Sequence, residues 1–414
     1  MGALLTRTEG RWLILGLIFI ARTVIGLQFQ SVGSTGGLLS SDLHLDYSRI
    51  GALIGFYELP GLISSVAGGI VTGRLGDRFT CLLGLLVMAL GGFALGAAQG
   101  FGWAIAARIA SGAGAIVFDF ALSKMVTDWF AGREIVLAMS IFLASWPFGI
   151  AVGLILLGPL AEALGWRVVM NGIATLCCLS ALMLGFGYRR PPADIAPSGG
   201  GTRSMGAGAF PPCRQVLSLA LGGCIWANLN LGLVLFFSFA PDMLIGQGLA
   251  PATAGRLTSL APWVLIVSLP LGGYFVERSG RSAGAIVLFS TLAGVFLILL
   301  TLGVSPLLLS AGLGIAVGPP AGPMMALPAR ILAVENRAAG LAIFYCAYYG
   351  IATFGPSLGG LLRDAHGAAA PVLLAAGIFL AIPPMQLLLR ALAPTPSSQD
   401  RQTTLDNFMK ETRP

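Results

Sequence analysis

Four ionisable side chains, Arg22, Glu58, Arg108 and Asp119, sit inside long apolar stretches of this chain. A charge at the centre of a hydrocarbon layer costs about 3 kcal/mol or more, so such groups mark solute pathways or proton relays, or are paired. Arg22 is charged at any working pH and presents a planar fork of donors, which suits a small anion such as a carboxylate, nitrate or cyanate. The plainer reading is a buried ion pair with Glu58 that joins the first two apolar stretches. Glu58 and Asp119 are the candidate proton carriers. If Arg22 leaves Glu58 to hold an anion, a proton on Glu58 restores the balance, and solute and proton travel together. Arg108 precedes Asp119 by eleven residues. Eleven residues turn a helix by about 1100°, three turns plus ~20°, so the two share a stripe with Gly112 and Ala115 between them. That stripe fits either a water-filled wall or a tight helix contact, and Arg108 is a weaker substrate candidate than Arg22.

The second half of the chain carries no ionisable group at such depth and offers polar and aromatic ones. Asn228 and Asn230 lie in the middle of an apolar stretch, with Trp226 on the face of Asn230. Tyr345, Tyr348 and Tyr349 have the i, i+3, i+4 spacing of one helix face. These groups are expected to shape and cap a substrate pocket, although packing or an interfacial belt explains the tyrosines equally well. The run Gly318-Pro319-Pro320-Ala321-Gly322-Pro323 is expected to break its helix near the middle, and Ser145-Trp146-Pro147 to kink another, both tolerable where the freed backbone lines protein or a cavity.

The elements that hold these residues follow from composition. The chain of 414 residues is 56% hydrophobic and 10% charged, where soluble domains carry roughly 25% charge. Its 58 glycines and 24 prolines lie within apolar segments, as helix contacts in membranes allow. Twelve spans of the length that ~30 Å of hydrocarbon needs are placed near 12–33, 48–72, 81–99, 103–126, 135–158, 166–187, 214–240, 252–276, 283–303, 306–327, 338–362 and 371–391. The expectation is an all-α membrane protein of two pseudo-symmetric six-helix bundles, 1–187 and 214–391. A polar Pro/Gly-rich linker at 188–213 joins them and a tail at 392–414 follows. Arg and Lys crowd the segments on the side of the termini, whereas Arg49, Arg167, Arg256 and Arg363 fall on the other side. That asymmetry places both termini in the cytoplasm of an inner (plasma) membrane protein. The net charge of +7 is spread singly between spans, so it reads as a topology signal rather than a nucleic-acid surface. The six cysteines and two histidines form no metal-ligand pattern and no nucleotide loop is present. No cofactor, no metal, no nucleic-acid partner and no enzymatic activity are expected, and the chain is expected to be a monomer.

A repeat supports the two halves. Residues 73–81 read Gly-Arg-Leu-Gly-Asp-Arg-Phe-Thr-Cys and residues 273–281 read Gly-Tyr-Phe-Val-Glu-Arg-Ser-Gly-Arg. Each is a charged hinge between two apolar runs. With the twelve spans and the central linker, this hinge resembles that of the major facilitator superfamily, Gly-x-Leu-x-Asp-Arg-x-Gly-Arg. Gly73, Leu75, Asp77 and Arg78 match it, while Thr80 and Cys81 replace its last Gly and basic residue. The second copy keeps Gly273, Glu277, Arg278, Gly280 and Arg281. The resemblance implies a conformational latch at Gly73, Asp77, Arg78, Glu277, Arg278 and Arg281. Lys124 and Asp128, one helical turn apart, can pair with each other or with the hinge. Arg108 heads an Arg-x-x-x-Gly pattern similar to the family's fourth-span motif, which is tied to proton-coupled members. Gly355-Pro356-Ser357-Leu358-Gly359-Gly360 resembles an antiporter motif but stands in span eleven rather than five, which argues against a drug–proton antiporter. The segment Lys124–Phe130 with Arg133 and Glu134 resembles the cyanate-permease-like branch. The function so implied is secondary transport of a small anionic solute, an inorganic anion or a carboxylate, by alternating access with protons as the candidate coupling ion. The alternative is a multidrug or metabolite exporter on the same fold.

Overall fold

The computed structural model describes residues 7–63, 76–130, 134–188, 212–327 and 337–392. Gly73 lies outside them. The described residues form twelve helices: α1 (Arg7–Leu43), α2 (Tyr47–Gly55), α3 (Asp77–Gly96), α4 (Phe101–Phe130), α5 (Ile135–Leu164), α6 (Trp166–Gly187), α7 (Cys213–Gly246), α8 (Pro251–Ser279), α9 (Ser282–Thr301), α10 (Pro306–Met325), α11 (Arg337–His366) and α12 (Ala370–Leu392). All but α2 are long and apolar enough to cross a membrane. Several overrun the hydropathy-defined spans. The 37 residues of α1 reach ~55 Å at ~1.5 Å per residue. Polar residues at its far end remain helical because their hydroxyls bond back to the helix: Thr35 Oγ1 donates to the Ser31 carbonyl at 2.8 Å.

The second span does not run straight. α2 begins at an N-cap Asp46 whose carboxylate accepts the Arg49 N–H at 2.8 Å. It breaks into turns at residues 56–58 and is helical again from residue 59. The break expected in α10 does not form. α5 passes through Pro147, and α10 through Pro319, Pro320 and Pro323, as continuous helices. A proline leaves the carbonyl four residues earlier without its helical donor. A neighbouring side chain replaces that donor: Ser268 Oγ on α8 donates to the Ile315 carbonyl, four residues before Pro319, at 2.9 Å.

Packing repeats with a shift of six helices. α1 packs on α5 and α7 on α11; α3 packs on α4 and α6, and α9 on α10 and α12. The halves meet where α2 lies on α11, α5 on α8, and α1 on α7. The first two contacts are images of each other under the same shift, as duplication about an axis along the membrane normal requires. Between described residues, the hydrogen bonds and ring contacts joining the halves run from mid-depth to the side opposite the chain ends. Gln30 Nε2 donates to the Phe237 carbonyl at 3.1 Å, and Phe237 is four residues before Pro241. Asp364 accepts the N–H groups of Tyr47 and Ser48 at 3.0 and 2.9 Å. Asp242 accepts Tyr47 Oη at 3.2 Å and Arg363 Nε at 2.6 Å. Gly360 is pressed so closely on the Tyr47 carbonyl that a Cβ would overlap it. The Gly-Pro-x-x-Gly-Gly run of α11 thus serves close approach of the two halves.

Candidate functional site

Arg22 is buried at the middle of α1, but its partner is not Glu58. Nε donates to Asp119 Oδ1 of α4 at 2.6 Å. Nη1 reaches α5, at 3.0 Å from the Phe142 carbonyl, 3.4 Å from the Leu143 carbonyl and 3.2 Å from Ser145 Oγ. The guanidinium also lies 4.2 Å from the centre of the Phe142 ring. Leu143 is the residue whose carbonyl Pro147 leaves without a helical donor, so Pro147 supplies an anchor for Arg22. Among the described residues Nη2 has no acceptor. Nε and Nη1 are engaged on opposite sides of the guanidinium, and Nη2 between them is the donor without one.

Asp119 completes the pair from a more open position. Its side chain is 41% exposed, and it lies within electrostatic reach of Glu58, Tyr345 and Tyr348. Those neighbours belong to the interface of the two halves, so Asp119 lies near that interface.

Arg108 corrects the expectation of a second substrate arginine. It is 0% exposed, and its donors are taken by backbone carbonyls: Leu53 at 2.8 Å, Gln28 at 2.9 Å and Phe29 at 3.4 Å. The break in the second span leaves the Leu53 carbonyl without the Tyr57 N–H, and Arg108 fills that gap. The guanidinium stacks 4.5 Å from the centre of the Tyr57 ring. A Cβ at Gly112 would overlap the Tyr57 carbonyl, so Gly112 lets α4 lie directly against the break. The shared stripe of Arg108 and Asp119 is real, but its two ends differ: Arg108 clamps helices and Asp119 lies near the interface.

The break presents Glu58 to the interface. Its half-buried carboxylate has no hydrogen bond or ion pair among the described residues. On the facing helix Tyr345, Tyr348 and Tyr349 form a mutual cluster with ring centres 4.9–6.4 Å apart. Their hydroxyls likewise have no partner among the described residues. Asn230 is partly spent within α7, its Nδ2 donating to the Trp226 carbonyl at 2.8 Å. Asn228 Nδ2 lies 3.2 Å from the Met385 sulfur. Gln28 was not singled out from sequence. It accepts Tyr57 Oη at 3.3 Å and donates to the Met88 carbonyl at 3.0 Å, and only the polar residue type in an apolar helix signals it.

The charges at the hinge brace one half internally. Lys124 Nζ bridges Asp77 at 2.8 Å and Asp128 at 2.7 Å, and Arg78 donates to the Gly185 carbonyl. Arg11 pairs with Glu134 at 2.9 Å. In the second copy Arg278 Nη1 donates to Tyr274 Oη at 2.9 Å, while Glu277 and Arg281 form no ion pair among the described residues. No cluster of metal ligands occurs among the described residues either.

Comparison with known proteins sets this geometry in a family. The model of the Major Facilitator Superfamily matches residues 18–241 and 228–410. The chain is 22% identical, over 66% of its length, to a hexuronate transporter of Bacillus subtilis, and spans 66% of that protein. It is 26% identical over 54% of its length to a probable L-galactonate transporter of Escherichia coli, and spans 49% of that one. These relatives lend no support to the cyanate-permease-like branch. Among solved structures, a bacterial homolog of the human lysosomal transporter Spinster, inward-facing and occupied, aligns with a TM-score of 0.70 at 15% identity, covering 94% of this chain and 99% of that one. A D-xylose–proton symporter aligns with a TM-score of 0.68 at 15% identity, covering 92% and 97%. With a family model across both halves and the same all-α fold in its neighbours, the chain belongs to the major facilitator superfamily.

Proposed function

We propose that the protein is a secondary transporter of a small anionic sugar acid, working by alternating access in the plasma membrane with both termini cytoplasmic. The observation that carries this reading is Arg22: a permanent cation at mid-depth, held by Asp119 through Nε and by α5 through Nη1, with no acceptor for Nη2 among the described residues. A solute carboxylate can accept from Nη2. The names of the two bacterial relatives, a hexuronate and a galactonate transporter, supply the solute class, and they do not favour the exporter alternative.

Coupling follows from the same pair. A solute carboxylate that takes over Arg22 strips Asp119 of its counter-ion inside the membrane, a cost that a proton on Asp119 removes. Asp119 thus takes the coupling role first weighed for Glu58. The lattice of contacts on the side opposite the termini closes the site there. The hinge pairs Asp77–Lys124–Asp128 stay within one half, free to be rearranged when the halves tilt.

The test is uptake of radiolabelled D-glucuronate and D-galactonate into proteoliposomes under an imposed proton gradient. Gradient-driven accumulation by the native protein, with Asp119→Asn retaining solute exchange but losing accumulation, supports the reading. Uptake indifferent to the gradient removes the coupling role, and no uptake of either acid removes the solute class.

A further inference from the structure

We propose that Glu58, with Tyr345, Tyr348 and Tyr349, forms a second pole of the solute site that reads hydroxyl groups and rejects a second carboxylate. The protein then selects polyhydroxylated monocarboxylates over dicarboxylates of the same length. This rests on the reading of Arg22 as the carboxylate pole.

The geometry is that of two facing surfaces with unspent polar groups. Two contacts bracket Glu58. Phe56 meets Phe354 edge-on with ring centres 5.8 Å apart, and Gly61 is pressed on the Tyr349 ring. Glu58 thus sits in a segment that packs on the 349–354 stretch of α11, within electrostatic reach of Tyr348 and Tyr349. Neither the carboxylate nor the three tyrosine hydroxyls have a partner among the described residues. Other polar side chains at this depth are bonded, Arg108 by three carbonyls, Gln28 by Tyr57 and Met88 and Gln30 Nε2 by Phe237, while Gln30 Oε1 and Thr353 Oγ1 are buried without a partner. A carboxyl group beside three hydroxyls, none with a partner among the described residues, is suited to the hydroxyls of a polyol. A carboxylate arriving there instead meets a second carboxyl group, with like charge whenever Glu58 is ionised. Arg108 lies within electrostatic reach of Glu58 but is walled off behind Tyr57, so it tempers that repulsion without offering a hydrogen bond. The two carboxylates near the interface thus differ in use, Asp119 paired with Arg22 and Glu58 held open for the solute.

The experiment is competition against labelled D-galactonate uptake by D-gluconate, D-glucarate and hexanoate. Glucarate is gluconate's skeleton with a second carboxylate, and hexanoate is a carboxylate without hydroxyls. In the native protein gluconate is expected to compete at least about tenfold better than either of the others. Glu58→Gln keeps an acceptor but removes the charge, and is expected to raise glucarate competition by about tenfold while gluconate changes by a few-fold. Tyr348→Phe is expected to weaken gluconate and leave hexanoate unchanged. A native protein that takes glucarate as well as gluconate overturns the proposal. So does a Glu58→Gln variant with the native gluconate-to-glucarate ratio. Arg22→Ala separates the two layers. If it abolishes galactonate uptake while Glu58→Gln keeps the native ratio, the second pole fails and the Arg22 reading stands. If Arg22→Ala competes like the native protein, both fail.

Discussion

Arg22 docks on the carbonyl that Pro147 leaves open: its Nη1 lies 3.4 Å from the Leu143 oxygen and 3.0 Å from that of Phe142. The proline does not bend α5 out of helix; it creates an acceptor where the arginine needs an anchor. Pro147→Ala returns a donor to Leu143 and takes that anchor away. A hydrogen bond to a charged group contributes about 1.5–3 kcal/mol. Because Phe142 and Ser145 remain, sugar-acid affinity is expected to fall several-fold with the fold intact. Titration calorimetry on the purified variant measures this; unchanged affinity would show that the proline-freed carbonyl has no part in holding Arg22.

The same device joins the halves. Gln30 of α1 bonds the Phe237 carbonyl, which Pro241 deprives of its helical donor. Gln30→Leu and Pro241→Ala are each expected to weaken closure opposite the termini by about 1 kcal/mol. Spin labels at positions 44 and 248, in loops on that side of the two halves, should report a larger population at long distance. The double variant should add little to either single one. Full additivity would mean the two residues act separately.

Gly360 sets the distance between α11 and the start of α2. A methyl group there overlaps the Tyr47 carbonyl, so Gly360→Ala is expected to hold that side apart. Transport should drop by about tenfold or more, with the label distance shifted as for the Gln30 variant but further. Native transport rates in this variant would show that the contact is not part of the cycle.

Arg108 and Arg22 should separate under conservative replacement. Arg108→Lys leaves one ammonium to serve carbonyls that a planar fork now satisfies. Orphaning buried partners of a charge costs about 3–5 kcal/mol, so the ligand-free melting temperature should fall markedly. Arg22→Lys, beside an accessible Asp119, should melt close to the native protein. An Arg108→Lys variant of native stability would contradict its role as a clamp on the broken second span.

Composition and hydropathy made the twelve helices and the two halves legible, because a membrane forces long uninterrupted apolar runs. The hinge motif led to Asp77, and its link to Lys124 and Asp128 was one of the pairings considered. Three matters lay beyond the sequence. Arg22 could meet either carboxylate, and only the packing of α1 on α4 and α5 brings it to Asp119. Arg108 and Arg22 look alike in hydropathy, yet the break at residues 56–58 draws one of them into the backbone. Prolines announce breaks in a single helix, but neighbouring donors such as Ser268 hold α10 continuous. Each is decided by contacts between helices, about which helical periodicity says nothing.

The most direct test of the account is a thermal-shift measurement of the native protein, Arg22→Lys and Arg22→Ala with D-glucuronate and D-galactonate. A ligand at 100 times its Kd stabilises the folded state by about 2.7 kcal/mol. The account predicts stabilisation of the native protein, partial stabilisation of Arg22→Lys, and none of Arg22→Ala, each read against its own ligand-free melting temperature. Equal stabilisation of Arg22→Ala by the same acids would contradict it.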